Sequence, residues 1–471
     1  MQHAHIPSVA HVWHTEAVEI ARDIIDRTLS TKDGEAGYAV VEALTDAGEE
    51  AWWVGGAVRS MLQESIPNEI DIATSAKPEK VAALFPKSDA SDAELGAVRV
   101  SVKGVVLEVT TFRSDDATSD GRHPESVRFG DRGADALRRD ATVNAMYWNP
   151  LTRELIDPCG GVEDLRQGLV RFIGDPKTRI RHDALRILRM VRLKSAIGGQ
   201  YELSTRKALS ALASLAGKLS GMRVLQELEK VLKLKSPAEA LEDLWELGVL
   251  KAVFPELHAC KGVAQPKEYH HEGDVFEHLK SCTKNFTDDH GPDVRLAALL
   301  HDIGKPETFA VKERIRFDHH AEVSARIADT VLRRFQSSSD RRQKICWLIE
   351  HHMMMNAFAE LTEVRKAHWY FHPWFQELLQ LFWLDAAGTD PGDYRLYNQI
   401  IADYDAFLNA HPKPAKPLLN DDEIMTILGL KPGEKVGELL QKLHEAQTTR
   451  RISTKKEAKD LLNKLNKGES S

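Results

Sequence analysis

Strand-like sequence is confined to residues 38–150 of this chain, and the residues that follow have the spacing of amphipathic helices. Short alternating apolar runs between turn residues, such as AWWV and VRVSV, occur within that first region. From DPCGGVEDL onward the apolar residues follow the helical period, as in HDALRILRMVRLKSA. Because the strands cluster in one part of the chain, we expect an α+β protein: a small mixed sheet followed by helical domains.

Length and composition point to a multidomain cytoplasmic protein. A chain of 471 residues suggests about three or four domains. No run approaches the roughly 18–20 apolar residues of a membrane span, and the first residues lack the apolar core of a signal peptide. The four cysteines show no CxxC spacing, which argues against a disulfide framework or a zinc ribbon. The net charge is −8, yet residues 171–235 carry fifteen Lys and Arg against five Asp and Glu, which suits phosphate binding.

Three acidic residues in the strand-rich region form a candidate metal site. Glu69 and Asp71 in EIDIAT stand two residues apart, and on a strand that spacing points both side chains to one face. Glu108 in LEVTTFR lies on a later strand and adds a third oxygen ligand for Mg²⁺. Phosphoryl transfer from a nucleoside triphosphate requires metal ions held in this way by converging carboxylates.

Two further features suit the binding of a nucleotide. The turn at Gly55 and Gly56, with Arg59 beside it, offers backbone N–H groups to a triphosphate. Asp183 and Arg186 are three residues apart, which on a helix places them on one face. Cytosine and adenine each present an amino donor beside a ring-nitrogen acceptor, whereas uracil and guanine present a carbonyl beside an N–H. A carboxylate paired with a guanidinium therefore matches C and A and rejects the other two bases.

Seven motifs then follow one another in a fixed order: VGGAVR, EIDIATS, EVTTFR, DGRHPESVRFG, LRRDATVNAMYWNP, DPCGGVEDL and RHDALRILRMVR. The series covers residues 38–192 and resembles the class II tRNA nucleotidyltransferase and bacterial poly(A) polymerase family, part of the polymerase-beta-like superfamily. The resemblance implies an enzyme that adds C and A from CTP and ATP to the 3′ end of tRNA without a template. It implies two-metal catalysis, with Glu69, Asp71 and Glu108 as the catalytic Mg²⁺ ligands.

The same resemblance assigns roles to the other motif residues. Contacts to the ribose, the triphosphate and further phosphates fall on Arg138, Arg139, Asp140, Asn144, Arg189 and Arg192. Base reading falls on Asp183 and Arg186. A flexible segment linked with the switch from adding C to adding A falls on Asp120, Gly121 and Arg122, and its presence disfavours an enzyme limited to CC.

The chain departs from the family pattern at four positions. Glu69 stands where the metal pair normally begins with Asp, and the extra methylene displaces its carboxylate. Ser60 replaces an Asp, Ala141 replaces a Phe, and His182 replaces a Glu. Because of Glu69 and Ser60, a phosphohydrolase or a tRNA-binding protein with a decayed transferase site is an alternative of another class.

A second series of motifs is rich in histidine: HHEGDVFEHLKS, LAALLHDIGKPET, FDHHAEVSA, LIEHHM and LFWLDAAGTD. It resembles the HD phosphohydrolase superfamily. The match assigns divalent metal ligands, for Mg²⁺, Mn²⁺ or Ni²⁺, to His278, His301, Asp302, His320, His351 and Asp385. Six nitrogen and oxygen ligands are enough for two cations that hydrolyse a phosphoester. A metal-stabilised scaffold for tRNA is the competing interpretation.

These observations define the expected organisation of the chain. We expect an N-terminal helical extension (1–37), a nucleotidyltransferase head (38–165), a helical neck that binds nucleotide and RNA (166–260), an HD domain (261–410) and a C-terminal helical module that binds tRNA (411–471). No membrane association and no obligate protein partner is indicated. A poly(A) polymerase and an enzyme that adds only the terminal A are the nearest alternatives, because they share nearly all of the motifs.

Overall fold

The computed structural model describes residues 20–114, 128–268, 270–410, 417–431, 433–448 and 451–466. The chain forms two compact units. The first consists of Met1–Leu219 with Glu246–Ala252, and the second of Ser220–Trp245 with Val253–Ser471. Within the described residues, no helix is both long enough and apolar enough to cross a membrane.

The first unit contains most of the strands. Its strands are β1 (Ala51–Val54), β2 (Asp71–Thr74), β3 (Ser88–Asp89), β4 (Ala97–Val102), β5 (Val105–Thr111), β6 (Arg113–Ser114), β7 (Arg128–Phe129), β8 (Tyr147–Trp148), β9 (Leu155–Ile156), β10 (Leu169–Val170) and β11 (Gln200–Tyr201). Its helices are α1 (Arg22–Leu29), α2 (Lys32–Asp46), α3 (Gly56–Leu62), α4 (Pro78–Leu84), α5 (Arg132–Arg138), α6 (Gly161–Arg166), α7 (Pro176–His182), α8 (Leu185–Ile197) and α9 (Leu203–Ala211).

A seven-stranded sheet in the order β3-β4-β5-β2-β1-β8-β9 organises this unit. β2 and β5 run parallel and the other neighbours run antiparallel, so the mixed sheet expected from the sequence is confirmed. The hairpin of β4 and β5 turns at Lys103 and Gly104, with φ of 50° and 81°. Positive φ at both positions defines the two-residue turn that matches the twist of paired strands.

The core of the first unit lies between this sheet and the first two helices. Ile24, Val40 and Leu44 of α1 and α2 are buried with Trp53 and Trp148 of the sheet. The two indole rings lie 5.1 Å apart between centroids. The residues just before the first strand therefore supply apolar side chains to the core of the strand-rich region.

Among its described residues, the second unit is helical apart from one hairpin. Its helices are α10 (Gly221–Leu232), α11 (Pro237–Glu246), α13 (Pro255–His258), α14 (Val275–Thr283), α15 (Pro292–Leu300), α16 (Lys305–Thr308), α17 (His320–Arg334), α18 (Ser339–His351), α19 (Glu363–Tyr370), α20 (Phe375–Gly388), α21 (Arg395–Ala410), α22 (Asp421–Leu428), α23 (Glu434–Thr448) and α24 (Lys455–Asn466). The short helix α12 (Val249–Val253) belongs to the first unit except for its last residue. The hairpin pairs β12 (Phe309–Val311) with β13 (Ile315–Phe317). The α+β class is confirmed, with short strand pairs added to the helical part.

Packing in the second unit brings together the helices that carry the histidine motifs. α15 and α20 contact each other and both contact α14 and α18, and α17 packs along α18. Phe276, Leu299 and Leu384 are fully buried among them. The last three helices have a small core of their own, which includes Ile424 and Leu462.

Candidate active sites in the two units

Asp71 and Glu108 lie side by side at one edge of the sheet in the first unit. Asp71 opens β2 and is in register with Glu108 on the parallel strand β5. Residues in register on adjacent strands share a face, about 4.8 Å apart along the sheet. Both side chains are exposed. The sheet therefore presents two carboxylates together, and hard oxygen ligands of this kind suit Mg²⁺.

Glu69 is not placed by the strand. The expectation that Glu69 and Asp71 stand on one strand, which would place both side chains on one face, is wrong, because β2 begins only at Asp71. Glu69 belongs to the segment that leads into β2, where it is exposed and followed by the buried Ile70. Its position relative to the other two carboxylates depends on that segment rather than on sheet pleating.

The glycine turn before α3 lies next to these carboxylates. Gly55 has φ of 64°, a conformation that favours glycine. A Cβ at this position would lie 4.0 Å from Asp71 Oδ2 and 3.8 Å from Arg139 Nη1. The turn at Gly55 therefore lies close to both the Asp71 carboxylate and the Arg139 guanidinium. Gly56, the first residue of α3, lies close to the guanidinium of Arg59.

Arg138 and Arg139 converge on Asp135, a fully buried carboxylate of α5. Arg138 Nε donates to Asp135 Oδ1 at 2.8 Å, and Arg139 Nη2 donates to Oδ2 at 3.0 Å. The hydroxyl of Tyr147 also donates to Oδ2, at 2.7 Å. Burial alone would raise the pKa of Asp135, but Arg139 and Arg138 hold it below its usual value. The sequence reasoning missed Asp135, although its spacing from the two arginines on one helix was a signal.

Asp140 anchors the next group of predicted residues. It is buried, its Oδ2 forms an ion pair with Arg189 Nη2 at 2.8 Å, and its Oδ1 accepts a hydrogen bond from the amide of Asn144 at 3.3 Å. Asn144 Oδ1 in turn accepts from Arg59. Burial alone would raise the pKa of Asp140, but Arg189 and the amide of Asn144 lower it to about 2. Burial and the charge of neighbouring Arg192 lower the pKa of Arg59 to about 10.

Asp183 and Arg186 do not share a helix. α7 ends at His182 and α8 begins at Leu185, so Asp183 lies in the bend between them with φ of −152° and ψ of 108°. Asp183 Oδ1 accepts the backbone N–H of Leu185 at 3.0 Å. The expectation of one continuous helical face is therefore wrong. The two residues are instead brought together by the bend, where the N–H of Arg186 donates to the carbonyl of Asp183 at 3.2 Å.

Hydrogen bonds join this bend and α7 to the segment that carries Arg138 and Arg139. Arg179 donates to the backbone carbonyls of Arg138 and Arg139, the latter at 2.8 Å. Arg186 Nη1 donates to the carbonyl of Arg179 at 3.0 Å. The candidate base-reading and triphosphate-binding residues thus form one hydrogen-bonded group within the first unit. The predicted switch residues Asp120, Gly121 and Arg122 lie outside the described residues.

The second unit gathers histidine and aspartate side chains from several helices into a buried cluster. His278 Nε2 lies 3.3 Å from His301 Nε2 and 3.1 Å from Asp385 Oδ1. His301 Nε2 lies 3.4 Å from Asp302 Oδ2, and His320 Nε2 lies 3.4 Å from Asp302 Oδ1. Ligands about 2.1 Å from one ion lie about 3.0 to 3.4 Å apart in octahedral or tetrahedral geometry. The spacing of this cluster fits divalent metal ions.

His352 joins this cluster, whereas His351 does not. The ring of His352 is buried, with its centroid 5.0 Å from that of His301 and 5.3 Å from that of His320. His351 instead stacks on Trp347, with 4.6 Å between centroids. The choice of His351 is therefore corrected to His352, because α18 ends at His351 and the next residue turns inward. Burial and the charge of His301 lower the pKa of His352 to about 3, which keeps its imidazole neutral.

The surroundings of the cluster support a metal site. Asp302 Oδ1 is buried and accepts no hydrogen bond from any described residue. A buried carboxylate oxygen without a hydrogen-bond donor needs another partner, and a bound cation would supply one. Lys305 Nζ lies 2.7 Å from Asp302 Oδ2. Glu272, which the sequence reasoning also missed, has its Oε1 3.0 Å from His278 Nδ1 and 2.6 Å from His270 Nδ1. A carboxylate on the far ring nitrogen orients a histidine ligand.

Three family models match successive parts of the chain. Residues 51–171 match the poly A polymerase head domain, residues 201–261 match the probable RNA and SrmB- binding site of polymerase A, and residues 275–410 match the HD domain. The head and HD domains both imply the use of divalent metal ions.

Curated relatives and solved structures agree with these matches. A CCA-adding enzyme of Geobacillus thermodenitrificans is 41% identical over 45% of this chain and 52% of its own length. One of Anoxybacillus flavithermus is 39% identical over 47% of this chain and 56% of its own. The chain spans about half the length of the curated relatives it matches. The crystal structure of the Bacillus stearothermophilus CCA-adding enzyme in complex with CTP shares the fold, with a TM-score of 0.63, 24% identity, and coverage of 93% of this chain and 98% of that one.

Proposed function

This chain belongs to the class II tRNA nucleotidyltransferase and bacterial poly(A) polymerase family, and on that premise we propose that it adds C and A to the 3′ end of tRNA from CTP and ATP without a nucleic-acid template. The observation that carries the proposal is one connected group in the first unit. It runs from the carboxylate edge at Asp71 and Glu108, through Arg138 and Arg139, to the bend at Asp183. A cytoplasmic location follows from the tRNA substrate.

The carboxylates would hold Mg²⁺ for the transfer step. Asp71, Glu108 and, from the preceding segment, Glu69 are the residues that would bind it. Bound there, Mg²⁺ supplies Lewis-acid activation of the RNA 3′ hydroxyl and neutralises charge on the phosphates. The residues themselves fix where the hydroxyl and the α-phosphate meet. The new bond joins the 3′ oxygen to the α-phosphorus, and pyrophosphate leaves.

Cationic side chains would hold the triphosphate and release pyrophosphate. Arg139 faces the glycine turn beside Asp71, and Arg138 lies next to it on the same carboxylate partner. Guanidinium groups bind phosphate through two parallel N–H donors, so they position the chain of phosphates as well as neutralise it. Arg59 and Arg189 are tied to Asn144 and Asp140, which orders the adjoining surface for the ribose.

The bend between α7 and α8 would select the base. Asp183 supplies a carboxylate acceptor and Arg186 a guanidinium donor, which is the pattern that C and A satisfy and that U and G do not. The bend is held by two hydrogen bonds, one from the N–H of Leu185 to the Asp183 carboxylate and one from the N–H of Arg186 to the Asp183 carbonyl. A fixed pair of this kind penalises the wrong base, because a base that covers the pair without matching it leaves polar groups on both sides without hydrogen-bond partners.

We also propose that the HD domain is a metal-dependent phosphohydrolase. His278, His301, Asp302, His320, His352 and Asp385 would hold one or two divalent cations, of which Mg²⁺, Mn²⁺ and Ni²⁺ are the candidates. A phosphoester of an RNA end is the substrate class that suits a partner of a tRNA 3′-end enzyme.

Nucleotide incorporation into three tRNA transcripts tests the transferase proposal. The transcripts end before CCA, after C and after CC, and each receives single nucleotides and then CTP with ATP. Addition that completes CCA and stops is the expected result. Addition of A to the CC end alone would mean an A-adding enzyme, and a long A tract on any RNA would mean a poly(A) polymerase. No incorporation, with tRNA binding retained, would refute transferase activity and leave the HD site as the enzyme.

A further inference from the structure

The buried carboxylate of Asp135 is bonded by both Arg138 and Arg139. Its side chain is fully buried, and four different groups bond to it: the side chains of Arg138, Arg139 and Tyr147, and the backbone N–H of Arg113 at 3.3 Å. Asp135 belongs neither to the residues assigned to nucleotide binding nor to the candidate metal site. We propose that Asp135 is a positioning residue for the triphosphate, fixing both guanidinium groups in the orientation that binds it; this inference rests on the proposed nucleotidyl transfer.

The charge balance of the group supports this role. Two guanidinium groups and one carboxylate leave one net positive charge, which a polyphosphate can neutralise. Without the carboxylate, the adjacent cations of Arg138 and Arg139 would repel each other and turn apart. Asp135 bonds each arginine through a different oxygen, so the two groups are held side by side. Charge-assisted pairs of this geometry add direction as well as attraction.

Asp135 also links the arginines to the carboxylate edge. Arg113 follows directly after β5, the strand that carries Glu108, and its backbone N–H donates to Asp135 Oδ1. Arg139 lies over the ring of Tyr147, 5.2 Å from its centroid, and its Nη1 faces the turn at Gly55. The distance from the phosphate-binding groups to the metal-type carboxylates is therefore set through one buried side chain.

The first unit contains a matched control for a purely structural role. Asp164 is also buried and also bonds an arginine and a hydroxyl: Arg171 Nε at 3.0 Å and Thr142 Oγ1 at 2.6 Å. Among the described residues, the hydrogen-bond partners of its carboxylate are Thr142 and Arg171, and neither Arg138 nor Arg139 bonds to it. Asp135→Asn and Asp164→Asn each remove one buried negative charge with little change of shape, so they separate loss of stability from loss of positioning.

Steady-state kinetics on the full chain, with a tRNA transcript ending in CC and with ATP varied, tests the proposal. We expect Asp135→Asn to raise the KM for ATP by about 10- to 100-fold, the range typical of partners that orient a binding group, with a smaller change in kcat. The inhibition constant of inorganic pyrophosphate should rise in parallel. Asp164→Asn should melt at a lowered temperature but keep both constants within about twofold of the wild type.

A second variant covers the case in which Asp135→Asn does not fold. Tyr147→Phe keeps the buried ring and removes the hydroxyl that bonds Asp135 at 2.7 Å and Arg139 at 3.2 Å. We expect the KM for ATP to rise about fivefold, the equivalent of one hydrogen bond. Unchanged KM and pyrophosphate inhibition in both variants, or an equal rise in Asp164→Asn, would overturn the inference. Absence of incorporation by the wild type would instead overturn the proposed transferase function.

Discussion

Replacing His352 should strongly weaken metal binding in the HD domain, while the same change at His351 should leave it intact. The two residues are neighbours in the sequence, yet only His352 lies against His301 and His320. His351 is held away by its stack on Trp347 and by the hydrogen bond from its Nδ1 to the carbonyl of Trp347 at 2.8 Å. His351 therefore has no route to replace the missing ligand.

The size of the effect follows from what each side chain contributes. Phenylalanine keeps a planar ring at either position and removes the nitrogens. Each variant also loses one Nδ1 hydrogen bond to a helix carbonyl, to Ile349 for His352 and to Trp347 for His351, so this cost cancels in the comparison. Loss of a residue that merely orients a metal ligand weakens metal affinity about 10- to 100-fold. Loss of His352 itself should therefore cost at least about 100-fold, or about 2.7 kcal/mol.

Isothermal titration of metal-free protein with Mn²⁺ and with Ni²⁺ measures this difference, and metal content after dialysis provides a second readout. The wild type and His351→Phe should bind with similar affinity, and His352→Phe should bind far more weakly. Equal affinities in the two variants, or the greater loss in His351→Phe, would refute the assignment of His352 to the cluster.

Three further changes test the remaining sites. Glu272→Gln should weaken metal binding about 10- to 100-fold without removing a ligand, because Glu272 orients His278; unaltered titration curves would contradict this. Asp140→Asn should lower the free energy of unfolding by about 2 kcal/mol at pH 7, because the folded-state pKa of Asp140 is about 2 against a usual 3.8. Because the pKa of Asp140 is lower in the folded protein than in the unfolded one, its ionised carboxylate stabilises the fold at pH values above the unfolded-state pKa of 3.8. This stabilisation is lost as the pH falls towards the folded-state pKa of about 2. The difference in the free energy of unfolding between variant and wild type, measured with urea, should therefore narrow from about pH 4 towards pH 2. Asp183→Ala should relax the preference for C and A more than it weakens tRNA binding; unchanged misincorporation of UTP and GTP would count against base reading by Asp183.

The sequence predicted the architecture and the residue types of both sites, and its errors have one physical cause. The mixed sheet was predicted because the alternation of apolar residues along a strand is a local property of the sequence. Glu69, Asp183 and His351 were misplaced because each lies at or just beyond the end of a strand or helix. Element ends depend on capping and tertiary contacts, so a pattern locates them only to within about two residues.

The residues that sequence reasoning missed are those whose role exists only in the folded chain. Glu272 is six positions from the histidine it orients, and its other oxygen accepts the backbone N–H of Asp390, far along the sequence. No spacing rule joins these three residues. The sequence held a partial signal for Asp135, because Arg138 and Arg139 lie one helical turn away from it. Its bonds with Tyr147 and Arg113 could not be predicted, because those residues belong to other elements.

Burial of Asp135 with two arginines is better explained by function than by stability. A buried ion pair gains little over apolar packing of the same volume, because desolvation of the charges offsets their attraction. An apolar residue at this position, however, could not hold the guanidinium groups of Arg138 and Arg139 side by side, because only a negative charge offsets their repulsion. The same reasoning applies to Glu272, which is buried against a histidine ligand rather than against the apolar core. In both units a carboxylate that touches no substrate sets the direction of the groups that do, and substitutions there should change affinity constants before they change the fold.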